Sequence, residues 1–207
     1  YACVDEINLI EGGYASALEK ELKTLREDPD WEEKKPGHML SIEDYRLATR
    51  MTTIYGSSST ELFSYFRTGA FSLIDGRHVT SQDSHKVMIS DRLAEKNDLG
   101  VGDTFILRMR DWKNETVTGE CEVEVAGIFS VNGYQPINDF VVENDITYNW
   151  ILSDFETYLE LWNISDQNYY LNYEKSLYYD SVTFFVEDAE RLDEIMAEVQ
   201  DLDVMDP

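Results

Sequence analysis

Two stretches of alternating character, Asp103 to Arg110 and Glu120 to Val131, constrain the fold more than any other feature of this chain. Phe105, Leu107 and Met109 fall on one side of the first, and Cys121, Val123 and Val125 on one side of the second. Side chains alternate with a period of two along a strand, so each run has one apolar face. Joined by the polar, turn-forming stretch Asp111 to Gly119, the two predict an antiparallel pair that must bury its apolar side against something else.

Helical periodicity supplies that second layer. Ala15, Leu18, Leu22 and Leu25 predict an amphipathic helix over 13–27, ended by Asp28-Pro29, and an exposed connection follows over 28–38. Ser41 with Asp44 predicts a short capped turn, and Leu62, Phe63 and Phe66 one or two helical turns. Ser90 is placed to cap a helix holding Leu93 and Ala94 and running to about Asn97, with Gly100 and Gly102 stopping it. Ser153 with Glu156 has the form of a capping box for a helix carrying Phe155, Tyr158, Leu159 and Trp162. Further strands are expected at Met51 to Tyr55, broken at Gly56, at Phe71 to Arg77 with a turn at Asp75-Gly76, at Lys86 to Ile89 and at Tyr148 to Leu152. Ser181 to Val186 reads as a last strand, leading into a helix with Leu192, Ile195, Met196 and Val199 on one face. The class is α+β. That last strand and helix make half of a split βαβ unit, completed if the first helix and the Met51 strand lie beside them.

Composition narrows the function. With 17 basic and 42 acidic residues the net charge is −25, which repels phosphate backbones and anionic lipid surfaces. Nucleic acid is therefore excluded as an expected partner. A hydrophobic content of 43% and an aromatic content of 13% point to a globular chain rather than a disordered acidic one. No apolar stretch reaches the roughly 18 to 20 residues that span a bilayer, and no signal peptide is evident. The chain opens on Tyr1 rather than Met, as a piece of a longer protein would. Cys3 and Cys121 are the two cysteines, and sequence leaves open whether they are bridged or free.

Catalytic signatures are missing: there is no G-x-S-x-G, H-E-x-x-H or G-x-x-x-x-G-K-[ST] string. The 42 carboxylates make chance acidic pairs inevitable, so no two stand out as a hydrolase pair. His78 and His85 flank Asp83, but their separation fits no usual ligand spacing, and His38 lies apart; all three read as surface histidines. Asp201, Asp203 and Asp206 lack the Gly and terminal Glu of a calcium loop. The expectation is no catalytic residue, no metal and no cofactor. The stretch 163–180 reads as a long loop, and the aromatics Trp162, Tyr169, Tyr170, Tyr173, Tyr178 and Tyr179 are its candidate partner-binding residues, Tyr and Trp giving contact area at low entropic cost. Trp150 counts with Trp162 in that plausible partner surface, and the alternative is that these rings close the core beneath the loop.

Four segments in order carry a resemblance. They are Phe71-Ser72-Leu73-Ile74-Asp75-Gly76-Arg77, then Lys86-Val87-Met88-Ile89-Ser90 with Leu93-Ala94-Glu95-Lys96, then Leu99-Gly100-Val101-Gly102-Asp103-Thr104, and Val125-Ala126-Gly127-Ile128-Phe129. The series resembles the extracytoplasmic core domain of MacB/FtsX-like ABC-transporter permeases over residues 56–130, and no specific match extends over 131–180. Each segment also has a mechanical reading of its own: a Gly turn, a Ser cap, a Gly-Asp turn into a strand.

The resemblance implies a split βαβ, porter-like subdomain formed by residues 1–70 and 131–207, with residues 71–130 as a β-rich insertion. It implies a non-catalytic domain on the extracytoplasmic face of a bacterial cell membrane, belonging to a permease that works with a cytoplasmic ATPase and a second permease copy. The substrate would be a peptide, a lipoprotein or a drug. Two rivals remain from the residues themselves: a secreted acidic binding or adhesion domain and, further off, an acidic hydrolase with two converging carboxylates of unlike environment.

Overall fold

In a computed structural model of the chain, Thr104–Arg110 and Val117–Val131 form the antiparallel pair that their alternation requires. Phe105 lies opposite Val123 and Leu107 opposite Cys121, all four buried. The structure describes residues 2–4, 6–27, 29–30, 49–110, 117–133, 135–169 and 189–201. It divides into two compact units, Tyr1–Leu171 and Asn172–Pro207.

The first unit runs, in chain order, through β1 (Ala2–Cys3), α1 (Gly13–Arg26), β2 (Met51–Thr52), β3 (Ile54–Ser57), a short α2 (Ser64–Arg67), β4 (Phe71–Gly76), β5 (Lys86–Ser90), α3 (Asp91–Asn97), β6 (Thr104–Arg110), β7 (Val117–Val131), β8 (Ile151–Asp154) and α4 (Phe155–Tyr169). The second unit holds α5 (Leu192–Asp201), entered through a short 3-10 turn, Ala189–Arg191. The protein is thus α+β.

A single mixed sheet carries the strand order β2-β1-β6-β7-β5-β8-β3, with β4 also paired to β7. The long β7 is its spine. β6 occupies one edge of β7 as far as Glu124, and β4 pairs from Gly127 onward. β5 runs parallel to β7 from Glu124 to Phe129; since β4 pairs with those same β7 residues, it must use the opposite edge. β8 follows β5 antiparallel, and β3 closes the order parallel to β8. The segment 71–130 supplies β4 to β7, and the flanking segments supply β1 to β3 and β8 to the same sheet.

Both faces of the sheet are covered. Val87 and Ile89 of β5 join Phe105, Leu107, Cys121, Val123 and Ile151 in one layer, closed by Leu93 and Ala94 of α3 and Leu161 of α4. Met88, between them, points the other way into a layer with Phe71, Phe129, Trp150 and Leu152. This is why Val87, Met88 and Ile89 are apolar in succession instead of alternating with polar residues: a central strand covered on both faces has no polar side. Each fully buried aliphatic here contributes about 1.5 to 3 kcal/mol.

Several elements differ in detail from the sequence pattern. Met51 to Tyr55 is two strands, β2 on β1 and β3 on β8, and β3 runs through Gly56 instead of breaking there. Gly56 lies so close under Tyr158 of α4 that a Cβ would stand 2.3 Å from the Tyr158 Cβ, so the glycine admits the helix rather than ending the strand. Tyr148 and Asn149 belong to a 3-10 turn ahead of β8, because the Asn149 amide bonds the backbone of Ile10 and Glu143. Helix α4 is capped by Asp154, not Ser153: the Asp154 carboxylate accepts from Thr157 N and Thr157 Oγ1, both at 2.7 Å. It continues to Tyr169, so Asn163 to Tyr169 is helix where a loop is expected; Ile164 anchors that extension on the first core layer. Asp98, in the left-handed region at φ 54°, ends α3 before either glycine is reached. Ser90 does cap α3, accepting from Leu93 N at 3.1 Å. The exposed connection after Pro29, the turn at Ser41, and the strand at Ser181 to Val186 lie largely or wholly outside the described residues.

Candidate functional site

The four segments of the sequence series converge on one short piece of backbone. Phe71 to Gly76 pairs with β7 from Gly127 to Val131, and Arg77 N donates to the Ala126 carbonyl at 3.0 Å. Lys86 to Ser90 lies along the other edge of Glu124 to Phe129. Gly102 N donates to the Val125 carbonyl at 2.8 Å, and Val125 N to that of Asp103 at 2.9 Å. The Val125-Phe129 segment is therefore the common strand on which the other three are hung. Gly76, at φ 70°, is held so tightly against it that a Cβ would lie 2.3 Å from the Ala126 carbonyl oxygen, whereas the same atom on Gly102, at φ 96°, would meet nothing within 4 Å. The turn expected at Asp75-Gly76 is thus the bulged end of β4, built for close approach rather than for reversal.

Arg77 then closes the loop that follows. Its guanidinium donates to both oxygens of Asp83, at 2.7 and 2.6 Å, and Thr80 N and Oγ1 donate to the same carboxylate. The Arg77 hydrogen bond, aided by Thr80, holds the Asp83 carboxyl well below the usual carboxylate range. His78 turns away from it, its Nδ1 against Thr60 Oγ1 at 3.1 Å and its ring edge-on to Phe66, and burial lowers its pKa. His78, Asp83 and His85 therefore do not assemble around a common point.

Two groups of aromatic residues stand out among the described residues. Phe71 stacks on Phe129 at 4.6 Å, Phe66 and Tyr65 pack on Phe71, and Trp150 meets Tyr55 and Tyr65 edge-on while its Nε1 donates to the Asn144 carbonyl at 3.1 Å. Trp150 belongs to this core layer. Trp162 does not: it is 43% exposed, and with Tyr158 and Phe155 it forms a ladder of near-parallel rings along α4, at 6.3 and 6.5 Å. The i, i+3, i+7 spacing of these three residues is the signal in sequence that one helix face carries them. Tyr169 is the last residue of α4, and Tyr170, Tyr173, Tyr178 and Tyr179 lie outside the described residues.

A second group was not legible in the sequence. His85 in the approach to β5, Cys121 on β7 and Glu160 on α4 bring one nitrogen, one sulfur and one oxygen within 4.8 Å of one another, and His85 Nε2 stands 2.8 Å from a Glu160 oxygen. Cys121 is a free, buried thiol. Burial pushes its pKa up to about 12, with the Glu160 and Asp154 charges adding to the shift.

Glu143 is a third isolated feature. It is almost fully buried, its Oε1 accepts from Gly12 N at 3.0 Å, and its Oε2 has no partner among the described residues. Burial raises its pKa. Among the described residues no helix is long and apolar enough to cross a membrane. Compared with protein-family models and with curated proteins, the chain matches none.

Proposed function

We propose that this chain is the extracytoplasmic domain of a MacB/FtsX-like permease, a non-catalytic module that binds a substrate or partner and transmits ATP-driven movement. The observation that carries this reading is the convergence of the four resembling segments on Val125 to Phe129. Segments that met their partners at unrelated places in the fold would be four coincidences of turn chemistry; segments bonded to one strand are a single structural unit, as an inherited core would be. A sheet filled on both faces suits transmission, because a close-packed body moves as a whole when pushed at one side.

On this reading the cytoplasmic ATPase and a second permease copy are the standing partners, and a peptide, lipoprotein or drug is the substrate. The Phe155, Tyr158 and Trp162 ladder is the contact surface, since it offers three stacked rings along one helix at small entropic cost. In the parent protein, Trp162→Ala should lower export or resistance several-fold while the melting temperature of the isolated domain moves little, because the ring is 43% exposed. Export unchanged by Trp162→Ala, Tyr158→Ala and the pair together would remove the ladder from the contact surface.

A further inference from the structure

We propose that His85, Cys121 and Glu160 form a binding site for one divalent transition-metal ion of the zinc class, closing α4 onto the sheet. The donor atoms come from three elements and already lie within 4.8 Å of one another. In a tetrahedral site with bonds of about 2.0 to 2.3 Å, neighbouring donors stand roughly 3.3 to 3.8 Å apart. The cluster brackets that spacing. The His85–Glu160 contact of 2.8 Å must open by a few tenths of an ångström or more, and the sulfur must approach; both are side-chain adjustments.

The backbone that presents these donors is fixed. His85 sits in the left-handed region at φ 57°, and its N–H donates to Thr157 Oγ1 at 2.8 Å while its carbonyl accepts from Glu124 N at 2.9 Å. Thr157 in turn is bonded to Asp154, whose carboxylate also accepts from Lys86 N. A single chain of hydrogen bonds thus ties the His85 backbone to the first turn of α4, one turn from Glu160. Cys121 lies in the N-terminal half of β7, in register with Leu107, and Leu161, next to Glu160, is buried in the same layer. An exposed His–Glu pair needs nothing beneath it; here the sulfur lies under the pair, while the His85 and Glu160 side chains, 47% and 44% exposed, leave the site open to an ion from solvent.

The donor set selects the ion. Calcium and magnesium take oxygen ligands, whereas imidazole with thiolate and one carboxylate suits Zn²⁺, with Co²⁺ as its spectroscopic substitute. Three protein ligands leave a fourth position for water. Asp154 is unsuited to fill it because both its oxygens are already engaged. On binding, the Cys121 S–H bond breaks, its proton leaves to solvent and the sulfur pair forms the bond to the ion. The charge of −25 concentrates cations around the chain without choosing among them, so the choice rests on the sulfur and nitrogen.

The test is a Co²⁺ titration of the purified chain under reducing conditions, followed by absorbance and repeated with Zn²⁺ in competition. One equivalent should bind with intense tetrahedral d–d bands and a sulfur-to-cobalt charge-transfer band, both removed by Zn²⁺. Cys121→Ser should abolish the charge-transfer band and Cys3→Ser should leave it. Glu160→Gln and His85→Asn should each weaken binding by tenfold or more; asparagine tolerates the left-handed backbone at 85, and position 160 is exposed, so both variants should fold even if Cys121→Ser does not. Weak pink octahedral spectra without a sulfur band, or affinities unchanged in Glu160→Gln and His85→Asn, would overturn the proposal.

Discussion

Gly76 and Gly102 both lie at positive φ in the segments that carry the resemblance, yet only one of them is crowded. An alanine at either position must adopt a left-handed backbone, which costs about 1 to 2 kcal/mol. At Gly102 that is the whole cost, since the new methyl group meets nothing within 4 Å. At Gly76 it would stand 2.3 Å from the Ala126 oxygen and 2.9 Å from the Gly127 Cα, both backbone atoms of the central strand. Neither can swing aside as a side chain would. Relief requires β4 to lift from β7, at the overpacking cost of about 1 to 3 kcal/mol, giving a total of about 2 to 5 kcal/mol for Gly76→Ala. Urea denaturation of the two variants, read by tryptophan fluorescence, measures the difference as a shift in midpoint at unchanged slope. Equal costs at the two positions, or a larger one at Gly102, would refute the claim that β4 is pinned on β7 by close backbone approach.

Two further outcomes follow from the carboxylates. Asp83→Asn should cost about 1 kcal/mol at neutral pH, the half-exposed Arg77 being screened by solvent. Because the Asp83 pKa is depressed in the fold, that stability is present above the ordinary carboxylate pKa, and the gap from Asp83→Asn should narrow as pH falls below about 4. Glu143→Gln should behave oppositely: its raised pKa means the buried charge opposes folding at neutral pH and the penalty fades as pH falls, so the variant should equal or exceed the parent by up to about 1 kcal/mol at pH 7. A loss of more than about 1 kcal/mol in Glu143→Gln at pH 7 would show that the carboxylate has a partner that the glutamine cannot replace.

The elements legible in the sequence were those whose pattern one neighbour determines. Phe105, Leu107 and Met109 alternate because β6 buries one face, and Ser90 caps α3 through an atom three residues away. Where a distant contact decides, local chemistry misleads. Ser153 has the form of a cap, but its hydroxyl is turned toward the Tyr55 carbonyl of β3 and the cap passes to Asp154, the last residue of β8; Gly56 has the form of a breaker, but α4 needs the space above it. The stretch after Asn163 lacks clean periodicity, yet Ile164 finds the core and the helix continues to Tyr169. The His85, Cys121 and Glu160 cluster is the extreme case, since its members are dozens of residues apart and only the crossing of α4 over β7 unites them. The aromatics were legible as sticky, but not which of Trp150 and Trp162 faces water.

If this chain is, as proposed, the outer domain of an ATP-driven permease, the location and company of the parent protein will reveal it. An epitope tag placed on the parent gene at its native locus allows the cells to be fractionated, the membranes washed with alkaline carbonate, and the solubilised protein purified and its companions identified. The proposed function places the protein in the carbonate-resistant membrane pellet, with this domain open to protease added outside intact spheroplasts, and an ABC-type ATPase recovered with it in near-stoichiometric amount. Recovery of the protein in the soluble or secreted fraction, or from membranes with no ATPase in company, would contradict it.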